Sequence, residues 1–128
     1  MNLRAISFAF AVVVFAGPAL AHHNMSAIYD FNDRVTMTGT LTKIDWRNPH
    51  IELAVDTKDG TEVQHWALEG PSPSFFRARE ITKVDIEAGL NKTVTAEASR
   101  ARDGSRSGLL RVVTLPGGKV VSACPQNC

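Results

Sequence analysis

The sequence predicts an all-β protein: a small five-stranded OB-like barrel with a short helical crossover between strands three and four. Three observations carry the expectation. Segments rich in β-branched residues alternate apolar and polar positions. Glycine, proline and Asp-Gly turns separate those segments at short intervals. The apolar parity of the first long segment also flips part-way, as it must where a strand bends to serve two sheets. An open β-sandwich accommodates the same strands, so the pattern leaves both architectures standing.

The first segment is set apart from the fold. Met1–Ala21 has one charge, Arg4, then an apolar run from Ala5 to Ala16 and the small-residue ending Ala19-Leu20-Ala21. That is the form of a cleavable secretory signal peptide, and the run is too short to span a bilayer comfortably. The expected mature chain begins at His22, is periplasmic or secreted, and has no transmembrane segment. Residues 22–33 form an N-terminal segment, 34–122 the barrel and 123–128 a C-terminal tail.

Arg34–Trp46 reads as the first strand, with Thr36, Thr38, Thr40 and Thr42 alternating against Val35, Met37, Gly39 and Leu41. Ile44 and Trp46 fall on the threonine side, which implies a bulge or bend near Thr42-Lys43. Gly39 suits a strongly coiled strand. Asn48-Pro49 interrupts the pattern before a second strand, His50–Asp56. Lys58-Asp59-Gly60-Thr61 is a hairpin turn into a third strand, Glu62–Glu69. Ser72-Pro73 has the form of a helix N-cap and first turn, and Thr82–Asp85 of a second capped turn. Lys92–Ala101 and Leu109–Leu115 supply the fourth and fifth strands, and Pro116-Gly117-Gly118 turns into a short edge, Lys119–Ser122.

Composition narrows the function. Of the 128 residues, 44% are hydrophobic and 21% charged, which excludes a disordered tail or a fibrous repeat. Without Arg4 the basic and acidic residues balance at thirteen each, so a nucleic-acid-coating protein is excluded, and export removes nucleic acid as a partner. Basic residues concentrate late: from Asn91 onward there are six against two acidic. No G-x-S-x-G, H-E-x-x-H, phosphate loop or carboxylate pair occurs, so an enzyme is not expected.

His22-His23, Gly39–Ile44 and above all Trp46-Arg47-Asn48-Pro49-His50 resemble an uncharacterised family of small exported bacterial proteins, a domain of unknown function. Trp66–Gly70 and Thr114–Gly118 extend the likeness over nearly the whole mature chain. The resemblance implies a periplasmic location and a small β domain. It supplies no activity, cofactor or catalytic residue.

Two binding readings follow from the residues. In the first, cleavage before His22 places a free amine and an imidazole on one residue, a chelate that suits Cu(II). His23, Met25 and His50 are then the candidate further ligands, and copper the cofactor. A polar spacer in a loose terminus is the competing reading of His22-His23. With Asp59-Gly60 as a two-residue loop, His50 faces Glu69 and His65 faces Ala54, and cross-strand hydrogen bonding explains His50 equally well. In the second reading a non-metal module binds an anionic small molecule, glycan or protein partner. Arg100, Arg102 and Arg106 are then the ligand residues, with Trp46 as a stacking surface, unless the arginines are a solvated hairpin and Trp46 and Trp66 fill the core. Cys124 and Cys128 are a candidate disulfide, with soft-metal binding the other use of C-x-x-x-C.

Overall fold

The computed structural model describes residues 24–124, and its architecture is mostly antiparallel β sheet. A short helix, α1 (Met25–Ile28), leads into the long strand β1 (Tyr29–Asp45). Strands β2 (Glu52–Asp59) and β3 (Glu62–Glu69) form a hairpin. Two one-turn helices, α2 (Pro73–Arg77) and α3 (Lys83–Glu87), precede β4 (Thr93–Ala101), β5 (Ser107–Thr114) and β6 (Val120–Ser122). The sheet order is β3-β2-β1-β4-β5-β6, and β3 pairs in addition with β5, in parallel. Following the hydrogen bonds therefore leads from β1 through β2, β3, β5 and β4 back to β1.

The expected break in β1 is there. Leu41 pairs with Val55 and Lys43 with Ala54, so Thr42 is the extra residue, and the register shift carries the apolar positions across the strand. Thr42 Oγ1 donates to the Ala54 carbonyl at 3.3 Å. Before the bulge, Met37 and Leu41 are buried; after it, Ile44 and Trp46 pack against the same core. That core is filled by Leu53, Val55, Trp66 and Leu68 from the hairpin, by Val94, Leu110 and Val113 from β4 and β5, and by Phe76 and Ile86 from the two crossover helices.

Several boundaries differ from the sequence expectation: β2 runs Glu52–Asp59 rather than His50–Asp56, and β5 Ser107–Thr114 rather than Leu109–Leu115. Among the described residues there are six strands, not five: the Lys119–Ser122 edge forms β6, because Leu115 N–H donates to the Lys119 carbonyl at 2.8 Å and Val121 buries completely. Gly117 and Gly118 give that turn its positive φ of 86° and 87°. The first strand starts at Tyr29 rather than Arg34, since Tyr29 is buried and pairs with Ala101 ahead of an irregular stretch. The hairpin loop is Gly60-Thr61, with Asp59 facing Glu62. Gly60, at φ 61°, takes the first central position, where a two-residue loop beginning with glycine needs it.

Both helix starts are as read. Phe75 N–H donates to Ser72 Oγ at 3.4 Å with Pro73 in the first turn. Thr82 N–H and Thr82 Oγ1 both donate to Asp85 Oδ2, at 2.8 and 2.7 Å, and Lys119 Nζ donates to Asp85 Oδ1 at 2.6 Å, tying the β5–β6 turn to α3. The Lys119 bond first, then the two from Thr82, hold the Asp85 carboxyl well below the usual carboxylate range. A carboxyl depressed in the folded state stabilises above its unfolded pKa of about 3.9, and that contribution fades as pH falls below it. The melting temperature of the parent should exceed that of Asp85→Asn at neutral pH, and the gap should close as pH drops below about 4.

Candidate functional site

A cleft of about 330 Å³ opens where β1 ends and β2 begins, against the end of β3. The Arg47–His50 segment forms one wall, with a cis peptide between Asn48 and Pro49. Ile51 fixes that wall. Its side chain is buried, its N–H donates to the Pro71 carbonyl at 3.2 Å, and its carbonyl accepts from Gly70 N–H at 2.9 Å. With Ile51 turned into the core, the neighbouring His50 side chain lies in the cleft.

Glu69 is the centre of the site. His50 Nδ1 is 2.5 Å from Glu69 Oε1, and Tyr29 OH donates to Glu69 Oε2 at 2.7 Å. Since a carboxylate only accepts, the shared hydrogen belongs to Nδ1, which makes Nε2 the basic atom of the ring. A histidine backed in this way by a carboxylate is the arrangement that orients and strengthens imidazole metal ligands. Burial first, then the Glu69 bond and the negative charges of Glu69 and Glu52, push the Tyr29 phenol far above its ordinary value, so it is a fixed donor at any physiological pH.

The charge around this group is strongly negative. Asp45 of β1 pairs in register with Glu52 of β2, and Glu52 with Glu69 of β3. Three carboxylates thus stand in one row across three strands, where like charges directly opposite repel. Arg47 offsets one of them, with Nη2 2.8 Å from Asp45 Oδ2. The row is suited to a cation.

The chain belongs to the family of unknown function DUF6152. Residues 10–111 match it, four-fifths of the sequence, and the whole Tyr29–His50–Glu69 cleft lies within the matched span. No curated protein and no solved structure matches the chain. β6 and the cysteine tail fall beyond the DUF6152 match.

Within this DUF6152 domain the candidate ligands separate. His50 is in the cleft. Met25 is half-buried in α1, four residues before Tyr29. His22 and His23 lie outside the described residues, as does Cys128. Among the described residues no group of three or more His, Cys, Asp or Glu is arranged to hold a metal ion. Cys124 is disulfide-bonded. His65 does not face Ala54: the two-residue change of register puts it opposite Asp56, with Nδ1 2.7 Å from Asp56 Oδ1, and the Glu69 partner in the ladder is Glu52 rather than His50. His50 reaches Glu69 nonetheless, from just ahead of β2.

The residues of the second binding reading are also divided. Trp46 is no open stacking surface: it is half-buried with its ring 5.3 Å from that of Phe76. Arg102 is turned toward the start of the chain, with Nε donating to the Ser26 carbonyl at 2.9 Å and Nη1 to Asp30 Oδ2 at 3.1 Å. Arg100 and Arg106 instead line a groove with Trp66. Tyr29, Glu52 and Trp66 were the residues that sequence reasoning did not place in a site. The alternation of β3 marks Trp66 as inward, but only the true hairpin register aligns the three acids. No helix among the described residues is long and apolar enough to cross a membrane.

Proposed function

We propose that this DUF6152 member is an exported binding protein, with Met1–Ala21 as its signal peptide, that takes copper at the Tyr29–His50–Glu69 cleft through the mature amino terminus. It is a binding module rather than an enzyme. Its domain is an OB-like barrel, a reading supported by the cyclic strand order β1-β2-β3-β5-β4 and by the helices between β3 and β4, with β6 added at the outside.

The observation that carries the proposal is the hydrogen bond His50 Nδ1 donates to Glu69, beside Tyr29. The chain enters β1 at Tyr29, in the same cleft as His50. Six residues lie between His22 and Tyr29, four of them in α1; three extended steps of about 3.5 Å and four helical steps of about 1.5 Å reach up to about 16 Å. The α-amine and imidazole of a processed His22 are thus within range of His50, the carboxylate-backed imidazole of this cleft. Three carboxylates favour a cation there, while the described donors alone make no metal site. Copper(II) suits a nitrogen-dominated set, with Met25 and His23 as further donors.

Cu(II) titration of the processed chain, followed by electron paramagnetic resonance, tests this. A nitrogen-rich signal at one equivalent is expected. His50→Ala should weaken binding and change the signal, and Glu69→Gln should cost about 10- to 100-fold in affinity, as loss of an outer-shell partner does. His65→Ala should bind as the parent does. Unchanged affinity and spectrum in His50→Ala would remove the cleft from the site.

A further inference from the structure

The chain has a second concavity of opposite charge. Two hollows of about 440 and about 300 Å³ share Gln64, Trp66 and Arg100 and so form one groove. Lys58, Arg100 and Arg106 line it and no carboxylate does, whereas the His50 cleft is lined by Asp45, Glu52 and Glu69. Its lining also includes apolar side chains from β1 and β3, Val35, Met37 and Trp66. Trp66 is only 7% exposed, and the Arg100 guanidinium lies 5.4 Å from its ring centroid. That cation–π contact gives the guanidinium a fixed place on an apolar support.

We propose that this groove is a binding site for a small organic oxyanion, with a carboxylate or phosphate head held by Arg100 and Arg106 and an apolar body over the Val35–Met37–Trp66 side. Guanidinium forks bind carboxylate and phosphate oxygens through paired, charge-assisted hydrogen bonds. The volume falls in the range of small-molecule sites, and the lining surface is mostly polar, as a charged head group requires, with the apolar side chains a smaller part of it. Ser105 and Gln64 add hydroxyl and amide groups at the rim. Among the described residues the competitor for Arg100 is Asp33, whose Oδ1 is 3.5 Å from Arg100 Nε. Both side chains of that pair are about half exposed, and such a contact is weak enough for a bound anion to replace. This site is separate from the proposed copper cleft and needs neither His22 nor His50.

Trp66 is the built-in reporter. In a Trp46→Phe background, phenylphosphate and inorganic phosphate are titrated at constant ionic strength while tryptophan fluorescence is followed. Phenylphosphate should give a saturable change with Kd of about 1 mM or tighter, and inorganic phosphate should bind more weakly. Arg100→Gln and Arg106→Gln should each weaken phenylphosphate about tenfold, and Arg102→Gln should leave it unchanged. Asp33→Asn should tighten binding about threefold, a direction that mere damage to the fold does not produce. Because the guanidinium stacked on the Trp66 ring is that of Arg100, the Arg106→Gln variant reads binding with that contact kept. A linear, unsaturable response, or Arg100→Gln and Arg106→Gln within twofold of the parent, would overturn the site. Equal affinity for the two phosphates would overturn the organic ligand class.

Discussion

Replacing Gly39 with alanine is expected to remove about 3 kcal/mol or more of folding stability, at the upper end of what overpacking costs. A Cβ built on Gly39 would sit 2.2 Å from the Asp56 carbonyl oxygen, 2.8 Å from its carbon and 3.0 Å from Thr57 Cγ2. The two closest atoms are backbone, so no side chain can swing aside to make room. β1 and β2 would have to separate beside the Thr40–Asp56 pair, next to the bulge where β1 changes faces. Against a total stability of about 5–15 kcal/mol for a domain, that is a large fraction. Gly60→Ala is the control. Its Cβ meets nothing within 4 Å, so its cost comes only from the positive φ, about 1 kcal/mol. Urea unfolding of both variants checks the ranking, with midpoints compared at matching m-values. A Gly39→Ala midpoint no lower than that of Gly60→Ala would mean the strands part more easily than their pairing implies.

Gly39 is also where the sequence spoke most plainly. A glycine amid alternating threonines pointed to a strongly coiled strand, and the parity flip from Leu41 to Ile44 required a bulge; both are local demands on one strand. The Ser72-Pro73 and Thr82–Asp85 helix starts were legible for the same reason: cap and acceptor are three residues apart. The hairpin was harder. Asp59-Gly60 and Gly60-Thr61 are both acceptable two-residue loops, and choosing between them moves every cross-strand partner by two. The row of Asp45, Glu52 and Glu69 depends on that choice, so it could not be seen before the register was known. Tyr29 was hidden differently, by the Asp and Asn residues around it, and only its long-range bond to Glu69 reveals it as part of a site. Arg100, Arg102 and Arg106 share one parity, yet Asp30 draws Arg102 away toward the start of β1. Pairings between residues about seventy positions apart leave no local trace.

Adding Gly-Pro-Gly ahead of His22, which leaves no histidine at the third position of the chain, is expected to weaken Cu(II) binding more than about 100-fold relative to the processed chain. Losing a group that only orients a ligand costs about 10- to 100-fold, and the extension removes a ligand atom outright, by turning the α-amine into an amide. The chelate needs amine and imidazole on the same residue, so the added segment should be as damaging as His22→Ala, although it deletes no side chain. Proton competition gives a second, independent signature. The amine, with a pKa near 8, and the imidazole, near 6.5, must both lose their protons to bind. Affinity should therefore fall by about two decades per pH unit below about pH 6, and more steeply still if His50 binds in the same set. In the extended chain the amine no longer takes part, so the slope should drop by one proton. Mass spectrometry of the exported protein establishes whether His22 is the first residue, and competition titrations across pH then give affinity and slope together. Equal affinities in the processed and extended chains would exclude the amine as a ligand, and identical pH slopes would do so even if the affinities differed.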